Sequence, residues 1–303
     1  MRLLVTGVTG FIGRRLLRRL AEERPRWTVY GIGRDPARLA RCAAILPGLR
    51  AMRCDLETQE LELDDPVDVV VHLASWVALP REDSAGWERL LHTNTRGTIR
   101  VWRWIQHAAT RPSAVIHASS VSAYGEPRVQ PAAEDDATEP SSFYGLSKLG
   151  AELYGNYFSS ALGVPTVNLR IGYVYGPEDD SGKVIYKWAA AARTGAPITI
   201  GSSPHVFRDY VFVDDVTRVL VELAAAPTLP AAALNVSPGR GITLLQLART
   251  LQRLGSDRAP LHVQPTPGDH FAGCVIQSRA RFDALFPGFR FTELEDGLRR
   301  LWE

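Results

Sequence analysis

Apolar and polar positions along this chain alternate between two rhythms. Arg2 is followed by the apolar run Leu3, Leu4 and Val5, then by glycines at Gly7, Gly10 and Gly13. Residues 14–23 then carry Leu16, Leu17 and Leu20 at helical spacing. A short apolar run, a glycine break and a helical period predict strand, tight turn and helix. The same rhythm makes residues 28–32 (TVYGI), 49–53, 67–73 (VDVVVHL), 114–118 (AVIHA) and 166–171 strands. It makes 87–110 a long helix and places another within 141–162. The 67–73 run is almost continuously apolar, as expected of a strand buried on both faces of a parallel sheet. The pattern predicts an α/β fold with a doubly wound parallel sheet, whose ligands lie outside the carboxyl ends of the strands.

Beyond residue 171 the rhythm changes. Residues 177–204 mix a helix (184–193) with loops, and 209–213 followed by a helix at 214–226 read as a return to the first domain. Residues 234–303 are punctuated by Pro238, Pro265, Pro267 and Pro287 and end in short helices. The expected organisation is one domain of 1–171 plus about 205–234, with a smaller, partly interleaved C-terminal lobe of about 172–204 and 235–303. That lobe is expected to close over the strand ends.

Composition narrows the field. With 303 residues, 45% hydrophobic and 22% charged, the chain is an ordinary globular sequence. Its net charge of +2 is too small and too dispersed for a nucleic-acid or membrane surface. No run is long and apolar enough to span a bilayer, and with a strand at its start the chain is expected to carry no signal peptide. Cys42, Cys54 and Cys274 form neither a disulfide framework nor a metal pattern, which points to a reducing, cytoplasmic setting. Only three lysines occur, at 148, 183 and 187, so a lysine in a meaningful position is informative here.

Three groups of residues carry candidate chemistry. Glycines 7, 10 and 13 let the backbone approach a pyrophosphate, whose charge the helix N-terminus would meet; the loop is therefore expected to bind a nucleotide, the alternative being a glycine-rich turn with no ligand. Tyr144 and Lys148 sit at i and i+4 on one helix face, where a cation lowers the phenol's pKa and makes a usable general acid or base. Ser119 and Ser120 follow the 114–118 strand, so a hydroxyl there could donate to a substrate oxygen. About 20 residues past the loop, where an acid would bind the ribose 2′-hydroxyl, the chain reads Gly33-Arg34-Asp35. Arg34 there favours a 2′-phosphate, hence NADP(H), with NAD(H) the alternative.

Over nearly its whole length the chain resembles the extended short-chain dehydrogenases/reductases, the Rossmann-type branch containing nucleotide-sugar epimerases, dehydratases and 4-keto reductases. Thr6-Gly7-Val8-Thr9-Gly10-Phe11-Ile12-Gly13 matches that family's cofactor loop, and Asp55-Leu56 its adenine-side acid. His72-Leu73-Ala74-Ser75 resembles the strand-end motif beside the cofactor, and Asn94 the helix asparagine that holds the site together. The resemblance makes Ser120, Tyr144 and Lys148 the catalytic triad, with Lys148 also on the nicotinamide ribose. It assigns Ser75, Ser120, Tyr144, Tyr173 and Arg208 to the substrate, Arg208 at its pyrophosphate. Arg170 and the segment from Arg208 to Asp215 follow later family signatures.

The resemblance implies hydride exchange at a carbinol or ketone carbon. The dehydratases' Asp-Glu pair after the catalytic hydroxyl is here Val121 and Ser122, so sugar dehydration is not expected. Arg34 points to net reduction of a 4-keto nucleotide sugar with NADPH. The alternatives are a nucleotide-sugar 4-epimerase retaining NAD, reduction of a non-sugar ketone or aldehyde, and a non-catalytic cofactor sensor, which the intact triad argues against. Two positions depart from the family: Tyr173 replaces a substrate-contacting asparagine, and Thr266-Pro267-Gly268-Asp269 lacks the arginine of an Arg-Pro-Gly-Asp signature. Helices 87–110 and 141–162 could pair across a two-fold axis, as in relatives, giving a homodimer.

Overall fold

The computed structural model describes residues 1–77, 84–179, 181–229, 232–264 and 274–302. It forms two compact units. One comprises Met1–Ala123, Pro140–Arg170 and Val216–Leu234, the other Tyr124–Glu139, Ile171–Asp215 and Asn235–Glu303. The stretch 266–269 lies outside the described residues.

In chain order, β1 (Arg2–Thr6) leads to α1 (Phe11–Glu23) and β2 (Thr28–Gly33) to α2 (Pro36–Ile45), followed by β3 (Arg50–Arg53) and β4 (Val69–His72). Then come α3 (Ser84–Leu90), a π-helical turn (Leu91–Arg96), α4 (Gly97–His107), β5 (Ala114–Ser120), α5 (Phe143–Leu162) and β6 (Thr166–Ile171). Next are β7 (Tyr173–Tyr175), α6 (Val184–Thr194), β8 (Ile198–Ile200), β9 (Phe207–Phe212), α7 (Val213–Ala225) and β10 (Ala232–Val236). The chain ends with β11 (Gly241–Thr243), α8 (Leu244–Leu254), β12 (Leu261–Val263), α9 (Ala280–Leu285) and α10 (Leu294–Arg299).

The seven-stranded sheet has the order β10-β6-β5-β4-β1-β2-β3. β1 pairs in parallel with both β2 and β4, and β4 in parallel with β5. The strands thus run outward in both directions from the β1/β4 pair, where Thr6 lies opposite His72. This is the switch point at which a doubly wound sheet opens a crevice at its carboxyl edge. β4 and β5 are buried along their whole length. One helical layer is closed by α4, whose Val101, Trp102 and Ile105 pack with Leu4, Val70 and Val115. Among the described residues no helix is long and apolar enough to cross a membrane.

The structure departs from the sequence expectation at several points, and two of them bear on the site. The helix expected over 87–110 is interrupted by the π-helical turn Leu91–Arg96 and stops at His107. Residues 124–139 and 205–215, expected with the first domain, belong to the second unit. There β9 pairs in parallel with β7 and antiparallel with β11. Tyr175 packs against Phe212 and Tyr210, with ring centroids 5.5 and 6.1 Å apart. Asn235 ties in the 124–139 segment, its Oδ1 accepting from Tyr124 Oη at 2.7 Å and its N–H donating to Glu134 Oε1 at 2.9 Å.

Candidate active site

The glycine loop is shaped by close backbone packing. Gly7 has φ +68°, and a Cβ there would lie 2.6 Å from the Ala74 nitrogen. At Gly13 a Cβ would lie 2.5 Å from Gly7 O, so α1 can seat on the loop only without a side chain. Gly10 is the N-cap of α1; no side chain caps it, and the first turn holds no acidic residue. The positive end of the helix therefore borders the cavity that Gly7, Thr9 and Gly10 help to line.

That cavity, of about 380 Å³, gathers most of the expected cofactor residues. Leu73, Ala74 and Ser75 form one wall, Asp55 and Leu56 another, and Arg34 and Arg38 stand at the rim. Phe11, Ile12 and Gly13, in the first turn of α1, do not line it, and neither do Asn94, Tyr144 and Lys148. At Gly33 a Cβ would meet Thr9 Cγ2 at 2.7 Å, so the strand end offers no acid. Asp35 caps α2 instead, accepting from the Ala37 and Arg38 N–H groups. Arg34 lies 3.5 Å from Glu57, a cavity residue the sequence reading did not single out. A loop packed backbone to backbone, an uncapped helix N-terminus and an arginine rim fit a phosphate-bearing dinucleotide.

Asn94 lies in the π-helical turn, which adds a residue to the helix and turns this side chain toward the strand ends. Its Oδ1 accepts from Trp76 N–H at 2.7 Å and Ser75 Oγ at 3.2 Å. Its Nδ2 donates to Trp76 O at 3.0 Å and Ser147 Oγ at 2.9 Å. The full capacity of the amide is used. Ser147 Oγ donates onward to Tyr144 O at 2.8 Å, so Asn94 ties the wall at Ser75 to the helix carrying Tyr144 and Lys148.

Beneath this wall a polar chain fixes His72. Thr98 Oγ1 donates to Asn94 O, which leaves it to accept from His72 Nε2–H at 2.9 Å. Nδ1 then accepts from Thr6 Oγ1 at 2.6 Å, and Thr6 Oγ1 accepts from Ala74 N–H at 3.2 Å. Burial, assisted by the Lys148 charge, lowers the His72 pKa to about 3 and keeps the ring neutral.

Ser120 ends β5, and Tyr144 and Lys148 occupy successive turns of α5 in the same unit. Ser120 Oγ accepts from Ser122 N–H at 3.1 Å, which leaves its proton to donate elsewhere. A Cβ on Gly145 would lie 2.3 Å from Ser122 O, so the first turn of α5 presses directly on the segment after Ser120. Ser142 caps that turn by accepting from Gly145 N–H. Tyr144 is half-buried and Lys148 is 2% exposed. Burial lowers the Lys148 pKa to about 8, with the Glu152 charge opposing the fall. Glu152 is itself held by Ser119 and by Arg170, in a buried ion pair. Of these three residues the sequence alone singles out Ser119 and Arg170 but not Glu152, although Glu152 lies four residues past Lys148.

Within the second unit, the Arg208 guanidinium lies over the Tyr173 ring, 4.9 Å from its centroid. Arg208 donates to Phe207 O at 2.8 Å and to Cys274 Sγ at 3.4 Å. Burial raises the Tyr173 phenol, and the Arg208 charge opposes it. Among the described residues no group of acidic, His and Cys side chains could hold a metal ion.

Comparison with known proteins bears on this arrangement. The sequence model of the NAD dependent epimerase/dehydratase family matches residues 3–236. A protein described as a probable UDP-glucuronate 4-epimerase of Rhizobium meliloti is 30% identical over 282 residues, 88% of this chain and 77% of its own. A dTDP-glucose 4,6-dehydratase of Mycobacterium tuberculosis is 30% identical over 312 residues, covering 99% and 91%. The crystal structure of a UDP-glucuronic acid 4-epimerase from Bacillus cereus superimposes with a TM-score of 0.87 at 24% identity, covering 100% and 98%; it shows the same fold.

Proposed function

Because this chain belongs to the NAD dependent epimerase/dehydratase family, within the extended short-chain dehydrogenases/reductases, we propose that it moves hydride at a sugar carbon of a nucleotide sugar. In the reading we place first, it reduces a 4-keto nucleotide sugar with NADPH. The observation that carries this choice is the cavity rim. Gly33 leaves no acid for a ribose 2′-hydroxyl, Asp35 is engaged as a helix cap, and Arg34 and Arg38 line the opening. A guanidinium suits a 2′-phosphate, where a carboxylate would repel it.

The first unit would hold the dinucleotide. Gly7, Thr9, Gly10 and the turn Phe11–Gly13 would take its pyrophosphate, Asp55 and Leu56 its adenine, and Leu73, Ala74, Ser75 and Asn94 would wall the nicotinamide side. When bound, the dinucleotide supplies or accepts the hydride. Ser120 donates a hydrogen bond to the substrate oxygen, and Tyr144 passes its proton to that oxygen as charge develops there. The Lys148 ammonium, four residues along α5, stabilises the phenolate left on Tyr144 and offers a donor to the ribose. The family resemblance assigns Ser75, Tyr173 and Arg208 to the substrate, Arg208 to its diphosphate. Val121 and Ser122, where dehydratases carry Asp-Glu, argue against dehydration.

A second reading is 4-epimerisation with retained NAD, favoured by the 30% identical relative described as a probable UDP-glucuronate 4-epimerase. Acid release of the dinucleotide from freshly purified protein, identified by mass spectrometry, separates the two. The first reading expects exchangeable NADP(H) and stoichiometric NADPH oxidation with a 4-keto nucleotide sugar. Tightly held NAD with no net turnover supports the second. NADPH oxidation by simple ketones or aldehydes, unaffected by loss of Arg208, would point to a non-sugar substrate and overturn both. We also propose a homodimer. Leu146, Leu153 and Tyr157 share one face of α5 and are 55%, 61% and 68% exposed, a stripe that a second copy would cover.

A further inference from the structure

The mechanism above uses Tyr144 and Lys148 but leaves the next residue on the same helical face unassigned. Tyr144, Lys148 and Glu152 recur at intervals of four along α5. Glu152 is 2% exposed, a burial that a carboxylate tolerates only when it is well partnered. Arg170, on β6, reaches it with Nη2 to Oε2 at 3.0 Å and Nε to Oε1 and Oε2 at 3.2 and 3.3 Å. Ser119, at the end of β5, donates to Oε1. The carboxylate is thus pinned from two neighbouring strands, one turn beyond a lysine that is equally buried.

The groups around that lysine do not otherwise favour its charge. No carboxylate forms an ion pair with Lys148 among the described residues. From β4 it is faced by His72, which is held neutral as described, and from β5 by His117, whose ring stacks on His72 at 5.4 Å. Asn168 Nδ2 donates to Asn156, so its Oδ1 accepts from His117 Nδ1–H at 2.8 Å. Among the described residues His117 Nε2 then remains a buried lone pair without a hydrogen-bond partner. A proton on either imidazole would oppose the ammonium. Arg170 carries the same sign as Lys148, and the π-helical turn presents Asn94 and Thr95, which do not titrate. Glu152 is the group whose charge offsets burial at Lys148.

We propose that Glu152, clamped by Ser119 and Arg170, is a positioning residue that keeps the Lys148 ammonium charged and thereby sets the alkaline limit of catalysis. The consequence for the reaction rests on the triad reading given above; the electrostatic relation itself does not. Lys148 supports a phenolate only while protonated, so activity falls as pH rises through its titration. Loss of the Glu152 charge moves that fall to lower pH.

The chain has three lysines, at 148, 183 and 187, so protein labelled with ¹³C at lysine Cε gives three titrating signals. The Lys148 signal is identified by its loss in Lys148→Met. In the unmodified protein its midpoint is expected near about 8. In Glu152→Gln its proton affinity is expected to fall about tenfold or more, with the other two signals unmoved. The alkaline limb of kcat against pH is expected to move by the same amount. An unchanged Lys148 midpoint in folded Glu152→Gln overturns the proposal, as does a uniform loss of kcat at every pH, the mark of a purely structural role. Should the Gln variant not fold, Glu152→Asp keeps the charge and draws it back by one methylene. A smaller fall in the same direction is then expected, and no change or a rise overturns the proposal. A shifted midpoint in a protein that turns over no nucleotide sugar would uphold the electrostatic relation and refute the proposed function.

Discussion

The side-chain amide of Asn94 donates to Ser147 Oγ at 2.9 Å while its carbonyl accepts from Trp76 N–H at 2.7 Å. One residue thus spans the strand-end wall of the cavity and the helix of the proposed acid. Asn94→Asp replaces two donors by acceptors facing Trp76 O and Ser147 Oγ, in a buried place. We expect a loss of about 1–3 kcal/mol in stability, read as a lower denaturant midpoint. Dinucleotide affinity, measured by calorimetry, should weaken in parallel.

Tyr144→Phe removes the proton donor and keeps the ring. A decrease in kcat of about 10²–10⁴-fold is expected, with dinucleotide affinity little changed. Near-normal turnover would sink the assignment of Tyr144 as the acid.

Arg34 and Glu57 face each other across the cavity rim at 3.5 Å. Arg34→Ala should weaken NADPH by about ten- to a hundredfold, the value of a charge-assisted bond of about 1.5–3 kcal/mol, and leave NADH nearly unchanged. Glu57→Gln removes an anion that competes for Arg34 and should tighten NADPH. Equal effects of Arg34→Ala on both dinucleotides would count against NADP(H).

The buried imidazoles set an acid limit on stability. His72 has its pKa lowered to about 3 by burial, and His117 is lowered for the same reason. An unfolded histidine titrates near about 6.5, so above that pH neither state gains a proton and the native contribution is fully present. As pH falls below about 6.5, the unfolded chain takes up protons that the folded one refuses, and stability is lost down to the folded pKa. The expected slope is about 1.4 kcal/mol per pH unit for each histidine. Urea midpoints across this range should show it, and His117→Asn should flatten it by about half. A pH-independent midpoint would contradict the neutral assignment.

Much of the first unit could be read from the chain because its signals are local. The run at 67–73 is apolar because β4 is buried on both faces. Gly7 and Gly13 stand where added side chains would strike backbone. The π-helical turn was not legible: Leu91, His92, Thr93, Asn94, Thr95 and Arg96 suit an ordinary helix, and what turns Asn94 inward is a set of partners at Ser75, Trp76 and Ser147. Long-range pairing also decided the fate of 124–139 and 205–215, through Asn235 and the β7–β9 ladder, contacts that no local period announces. Glu57 was missed for the same reason, since its relation to Arg34 exists only after β2 and the turn following β3 are brought side by side.

The extra residue in the helix between Leu91 and Arg96 acts as a phase shifter. Upstream and downstream of it the two helical stretches run out of angular step, so α4 can keep Val101, Trp102 and Ile105 on the sheet while position 94 is aimed elsewhere. Deleting one residue from that turn would restore an unbroken spiral and swing the asparagine away from the wall. The packing face would survive, and the crevice would lose its brace.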